Sequence, residues 1–155
     1  MSWVWLKNFA GLHVTDMEML QVPRPRLELS VHVTMKTVEG CTLLGTLGNA
    51  LVTAARDGAF DKDRIKAAAL TGGLYGAAAG LALGPVLTLV RGRDWSRTEF
   101  FDRCYRLRFN RKVLFMDRAT LVGAAGGAAI GGPAGMVVGL NCAFVGSVLL
   151  NQVWK

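Results

Sequence analysis

"LTGGLYGAAAGLALG", residues 70–84, carries no charge and places glycine at 72, 76, 80 and 84. In water, glycine inside a helix costs about 1 kcal/mol per site relative to alanine. The uncharged run around this stretch extends from Ala67 to Val90, 24 residues, and a bilayer crossing needs about 20 mostly apolar residues. In lipid the hydrophobic effect does not press helices together, so association rests on the close packing that small residues permit. A glycine every fourth residue makes a flat face on which a second backbone can lie. The stretch predicts a membrane helix that gives up helix propensity for interhelical contact.

The pattern recurs. Ala119 to Trp154 is an uncharged run of 36 residues with glycines at 123, 127, 131, 135 and 139. At 1.5 Å per residue such a run would reach about 54 Å, against about 30 Å of hydrocarbon. "GGP" at 131–133 is therefore the expected break. Upstream, Gly40 to Ala55 is uncharged over 16 residues, with a weaker ladder at Gly40, Gly45 and Gly48. The expected fold is all-α: an integral membrane four-helix bundle packed by glycine ladders. Its spans are expected near 31–55, 65–90, 113–132 and 134–153, with three longer spans as the alternative count. The packing residues are Gly72, Gly73, Gly76, Gly80, Gly84, Gly123, Gly127, Gly131, Gly135 and Gly139.

Residues 1–28 form a head and linker before a transmembrane domain, 29–155. In the head, Lys7, Arg24 and Arg26 balance Asp16, Glu18 and Glu28. Trp3, Trp5, Leu6 and Phe9 suit a membrane surface or a protein partner. "VPRPR" at 22–26 is expected to be an extended linker, because each proline disfavours helix at the residue before it. The first residues lack the features of a secretory signal or a transit peptide, so targeting information is expected to be internal.

The net charge of +7 is concentrated at 91–118, which holds nine basic and four acidic residues. Between two spans this is flanking charge that meets anionic lipid, and no nucleic-acid reading motif accompanies it. Phe100, Phe101, Cys104 and Tyr105 share one helical face, which predicts a basic, partly interfacial connection between the second and third spans, with a solvated loop as the other reading. Arg103, Arg106, Arg108, Arg111 and Lys112 are the candidates for phospholipid headgroups, cardiolipin among them; setting topology alone is the other role open to them. Lys36 and Glu39, three residues apart in the first span, can pair along one face. Asp117 and Arg118, about one turn inside the third span, can snorkel or pair.

Nothing points to catalysis. His13 and His32 lie in different segments, and Cys41, Cys104 and Cys142 have no metal-ligand or redox spacing. No nucleophile elbow, phosphate loop or metal cluster is present. No catalytic residue, metal or cofactor is expected.

The pattern G-x2-G-x3-G-x3-G at Gly73, Gly76, Gly80 and Gly84 resembles the second span of the mitochondrial inner-membrane translocase family of preprotein and amino-acid transporters. Arg111, Asp117, Gly126, Gly127 and Gly131 stand at the start of the third span as in that family, at longer spacings. The resemblance covers about residues 31–153 and implies a multi-pass protein of the mitochondrial inner membrane. The added head, the basic connection and the longer spacings fit the family's second branch, a four-helix accessory subunit of respiratory complex I. That branch implies a non-catalytic part of the proton-pumping NADH:ubiquinone oxidoreductase, with other membrane subunits and phospholipids as partners. A subunit of a protein-import translocase is the alternative. On the positive-inside rule the 91–118 connection and both termini face the matrix, whereas the resemblance to the translocases implies termini in the intermembrane space, and both orientations stay open.

Overall fold

The computed structural model describes residues 3–57 and 61–153. The centre of the loop expected at 56–64 and the two ends of the chain lie outside them. Six helices follow one another among the described residues: α1 (Trp3–Phe9), α2 (Asp16–Met19), α3 (Pro25–Asp57), α4 (Lys62–Arg91), α5 (Arg97–Phe109) and α6 (Arg111–Val153). No strand occurs among them. Helices α4 and α6 are long and apolar enough to cross a membrane.

Each helix starts where local chemistry allows. α3 begins at Pro25, so the expected linker at 22–26 ends two residues early. Proline suits the first helical position, where its missing N–H has no partner to lose. Asp61 caps α4 by accepting from the Asp63 N–H at 3.1 Å. Ser96 and Glu99 form a capping box at α5, with the Ser96 N–H donating to Glu99 Oε2 at 2.6 Å. Those bonds, backbone first, hold the Glu99 carboxyl below the usual carboxylate range.

α6 has 43 residues but is not one rod. Gly131 (φ −131°, ψ 21°) and Gly132 (φ 58°, ψ −145°) leave helical geometry, and Pro133 restarts the helix. The conformation at Gly132 is one that side-chain-bearing residues rarely adopt. The break leaves arms of 111–130 and 133–153, each about 30 Å long at 1.5 Å per residue.

Two antiparallel hairpins result, both closed backbone to backbone. A methyl group added at Gly45 would overlap the Gly72 carbonyl, and one at Gly72 would overlap the Gly45 carbonyl. Gly76 faces the Cys41 carbonyl, Gly80 lies against Thr37 and Val38, and Gly84 against Thr34. The arms of α6 repeat this: Gly127 meets Gly135, and Gly123 meets Gly139, around the break at 131. Thr37 Oγ1 donates to the Gly80 carbonyl at 2.8 Å and Asn49 Nδ2 to the Ala68 carbonyl at 2.8 Å, fixing the α3–α4 register.

Not every expected packing glycine packs. Gly131 has open space around its Cα because it forms the turn, not the ladder. Gly40 and Gly48 also face open space, so only Gly45 of the α3 ladder touches a neighbour. Gly73 packs in another direction, toward Val137 and Thr46, and so joins the two hairpins.

α1, α2 and α5 gather at the end where α3 starts and α4 stops. Phe100 and Cys104 of α5 are buried with Val22 and Leu29, and Val33, Trp95, Phe101 and Leu107 pack around them. The Cys104 thiol donates to the Pro25 carbonyl at 3.1 Å. Burial, and then the nearby Glu28 carboxylate, push that thiol up to about 12. Thiolate is the reactive species, and at pH 8 it is roughly one part in ten thousand here. Cys104 is therefore expected to resist iodoacetamide at pH 8 in mild detergent and to react after denaturation in SDS. Peptide mass spectrometry checks this; native-state labelling at the rate of a free cysteine would contradict the burial.

Candidate functional site

The hairpins meet through a buried ionic cluster. On α3, His32, Lys36 and Glu39 recur at intervals of four and three residues, which places them on one face. Asp117 and Thr120 face them from the first arm of α6. Lys36 Nζ lies 2.8 Å from Glu39 Oε2 and also forms an ion pair with Asp117 Oδ1. His32 Nδ1 lies 3.1 Å from Asp117 Oδ2. Thr120 Oγ1 donates to the other Glu39 oxygen at 2.7 Å. Glu39 and Asp117 are 2% and 1% exposed, so both carboxylates depend on these partners rather than on water.

The expected Lys36–Glu39 pair is thus part of a larger arrangement, because Lys36 bridges carboxylates on two helices. Its depth follows from the glycine register. Gly80 lies against Thr37–Val38 and Gly76 against Cys41–Thr42, so Glu39 stands level with the middle of the uncharged run of α4. The face continues as Thr42, Thr46 and Asn49. Thr42 is fully buried and donates to the Val38 carbonyl at 2.6 Å. Asn141 Nδ2, from the second arm of α6, donates to Thr46 Oγ1 at 2.9 Å. A polar seam therefore runs along α3 between the hairpins, and an apolar cleft of about 270 Å³ opens beside it at Glu39, Thr120 and Leu140.

A second buried ion pair fastens the head. Arg108 clasps Glu28 with two parallel bonds, Nε to Oε1 at 2.6 Å and Nη2 to Oε2 at 2.7 Å. Its Nη1 also donates to the Met19 carbonyl at 2.8 Å. This forked geometry is the strong form of an arginine–carboxylate contact. Arg108 is therefore not a headgroup candidate as expected: it shares the buried face of α5 with Phe100 and Cys104. From the start of α6, Arg118 Nε donates to the Phe9 carbonyl at 2.8 Å, and its Nη2 donates to the Asn8 carbonyl, which ties down α1. Asn8 Nδ2 returns a bond to the Arg108 carbonyl at 3.1 Å.

The other predicted basic residues separate in space. Arg103 lies 3.9 Å above the Trp95 ring, and Arg106 pairs with Asp102 at 2.9 Å on the exposed side of α5. Lys112 turns to the far end of α6, donating to the Asn151 carbonyl at 3.2 Å, and Arg111 begins α6 beside it, exposed. Among the described residues no group of three or more His, Cys, Asp or Glu side chains is placed to hold a metal ion.

The cluster holds two carboxylates, an ammonium and an imidazole in mutual contact, which suits an internal lock rather than an open reaction centre. The polar seam was present in the sequence as the series 32, 36, 39, 42, 46 and 49, but its partner Asp117 lies on another helix. Comparison with curated proteins finds no match. A family model described as a protein of unknown function (DUF1757) matches residues 5–150, a stretch that takes in the head clasp, both hairpins and the ionic cluster, and the chain belongs to that family.

Proposed function

We propose that the chain is a four-span protein of the mitochondrial inner membrane and a structural, non-catalytic accessory subunit of the membrane arm of respiratory complex I. Its spans are α3, α4 and the two arms of α6. The observation that carries a scaffolding role is the closure of both hairpins by glycine. With the backbones in contact inside, long apolar side chains such as Leu44, Leu51, Leu81, Leu89, Ile130 and Leu149 are left facing outward. Such faces fit lipid and neighbouring membrane helices.

The ionic cluster favours this role over transport. Charges inside a membrane are costly, and those that line substrate paths face water-filled cavities. Here Glu39 and Asp117 are occupied by Lys36, His32 and Thr120. A basic presequence would have to displace the chain's own cation to reach them. The resemblance at Gly73, Gly76, Gly80 and Gly84 supports the translocase-related family, and the added head, the basic 91–118 connection and the longer spacings around Arg111 and Asp117 support its complex I branch.

Native gel electrophoresis of the tagged protein from gently solubilised mitochondria, with in-gel NADH dehydrogenase staining, tests the proposal. Migration with the stained complex near its full size is the expected result. Migration in a smaller, unstained assembly that retains an arrested precursor would overturn it in favour of an import translocase.

A further inference from the structure

Where α3 begins, α4 ends and α5 crosses between them, the surface opens into a groove of about 820 Å³. Its wall is mainly aliphatic, with Leu29 and Val33 from α3, Leu87 from α4 and Leu107 from α5, and His32 and Thr88 are the polar residues among them. Its rim carries Arg91, Arg103 and Arg106, with Trp95 beside them. Two acids also reach the rim. Glu99 is turned into the cap of α5 by Ser96, and Asp102 is taken up by Arg106. Arg103 Cζ lies 3.9 Å from the centroid of the Trp95 ring, a cation–π contact that holds its guanidinium in place.

We propose that this groove is a binding site for one anionic diacyl phospholipid. Its headgroup phosphate lies between Arg91 and Arg103, with Arg106 at the edge paired to Asp102, and its chains run along Leu29, Val33 and Leu87. The division of the groove decides the ligand class. A soluble anion would use the rim and leave the aliphatic wall wet, whereas a diacyl phospholipid carries its charge at one end and hydrocarbon at the other. The volume lies within the roughly 300–1,000 Å³ usual for small-molecule sites. Trp95 is of the residue type that sits at headgroup level, and basic pockets beside spans are where anionic headgroups bind. Arg91, at the last turn of α4, joins the site although the hydrophilic connection only starts with it. Arg108, Arg111 and Lys112 fall outside it. The site rests on the four-span reading, because only there does the wall meet acyl chains.

The test is native mass spectrometry of the full chain in maltoside detergent, titrated with dioleoyl phosphatidylglycerol or dioleoyl phosphatidylcholine. Phosphatidylglycerol is expected to be retained preferentially. Removing two rim charges in Arg91→Gln/Arg103→Gln is expected to weaken that retention about 30-fold, at the usual contribution of a basic residue near an anionic headgroup. Lys62→Gln/Lys66→Gln removes the same charge from the opposite end of α4 and is expected to leave retention unchanged. Val33→Trp, which fills the groove without touching charge, is expected to displace both lipids. Equal loss in the two charge-removal variants, or unchanged retention in Arg91→Gln/Arg103→Gln, overturns the site. Carbonate extraction of native membranes separates the two levels. A chain released by carbonate overturns the four-span reading, whereas a chain retained by carbonate but indifferent to lipid charge overturns the groove alone.

Discussion

Gly76→Leu is expected to reduce the protein in washed membranes to below about a tenth of the wild-type amount. A Cβ at this position would overlap the Cys41 carbonyl and come within 3.1 Å of the Thr42 Cα. Both obstacles are backbone and cannot swing aside as a side chain would. α3 and α4 must therefore separate, and Gly72, Gly80 and Gly84 lose contact with them. Overpacking against side chains costs typically about 1–3 kcal/mol, and a bulky residue against backbone exceeds that range. The total stability of a domain is only about 5–15 kcal/mol. Gly40→Leu is the matched control, because Gly40 is on the same hairpin and faces open space. Equal accumulation and equal melting in detergent for Gly76→Leu and wild type would mean that the hairpin is not closed along this face.

The second large effect is expected from Asp117→Ala. The substitution leaves His32 without its carboxylate and Lys36 with one partner instead of two. Breaking a buried ion pair from one side costs about 3–5 kcal/mol, because the remaining charge is still buried. Lys36→Met should be comparably harmful, since Glu39 and Asp117 then confront each other without a cation between them. The double variant Lys36→Met/Asp117→Ala is expected to be less damaged than the two single effects added, with a coupling of about 0.5–3 kcal/mol. Reversible unfolding in mixed micelles of the four proteins measures it. Strict additivity would show that the two hairpins are not joined through this pair.

The sequence carried the first of these effects more plainly than the second. A glycine every four residues inside an uncharged run is a local signal, and both the α4 ladder and the break at Gly131–Gly132 could be read from it. A ladder does not show what faces it, however. Gly131 continues the register on paper but forms the turn, and Gly40 and Gly48 share a helix with Gly45 without touching anything. Charge misled in the same way. Arg108 belongs by composition to a basic connection, and only its spacing from Phe100 and Cys104 hinted that it turns inward to Glu28. Lys36 and Glu39 could be paired because three residues separate them on one helix. Asp117 could not be assigned to them, since that contact depends on how one hairpin sits on the other.

The break in α6 has a mechanical consequence for a four-span protein. The two hairpins have their tips on the same side, away from the head, because α3 and the first arm of α6 run parallel, as the contacts from Lys36 to Asp117 and from Glu39 to Thr120 require. The tip of the first hairpin is flanked by six charged residues between Arg56 and Arg64. The tip of the second is Ile130, two glycines and Pro133, with nothing to grip the water or the headgroups. At its other end the same hairpin is fastened by reciprocal bonds between Lys112 and Asn151, at 3.2 and 3.0 Å. The second hairpin is therefore a cantilever, anchored at the head and unpinned at its tip. In the proposed four-span arrangement only the part of it beyond the contacts that join it to the first hairpin at Asp117, Thr120, Val137 and Asn141 can follow the thickness of the surrounding bilayer, while the first hairpin carries charge at both ends.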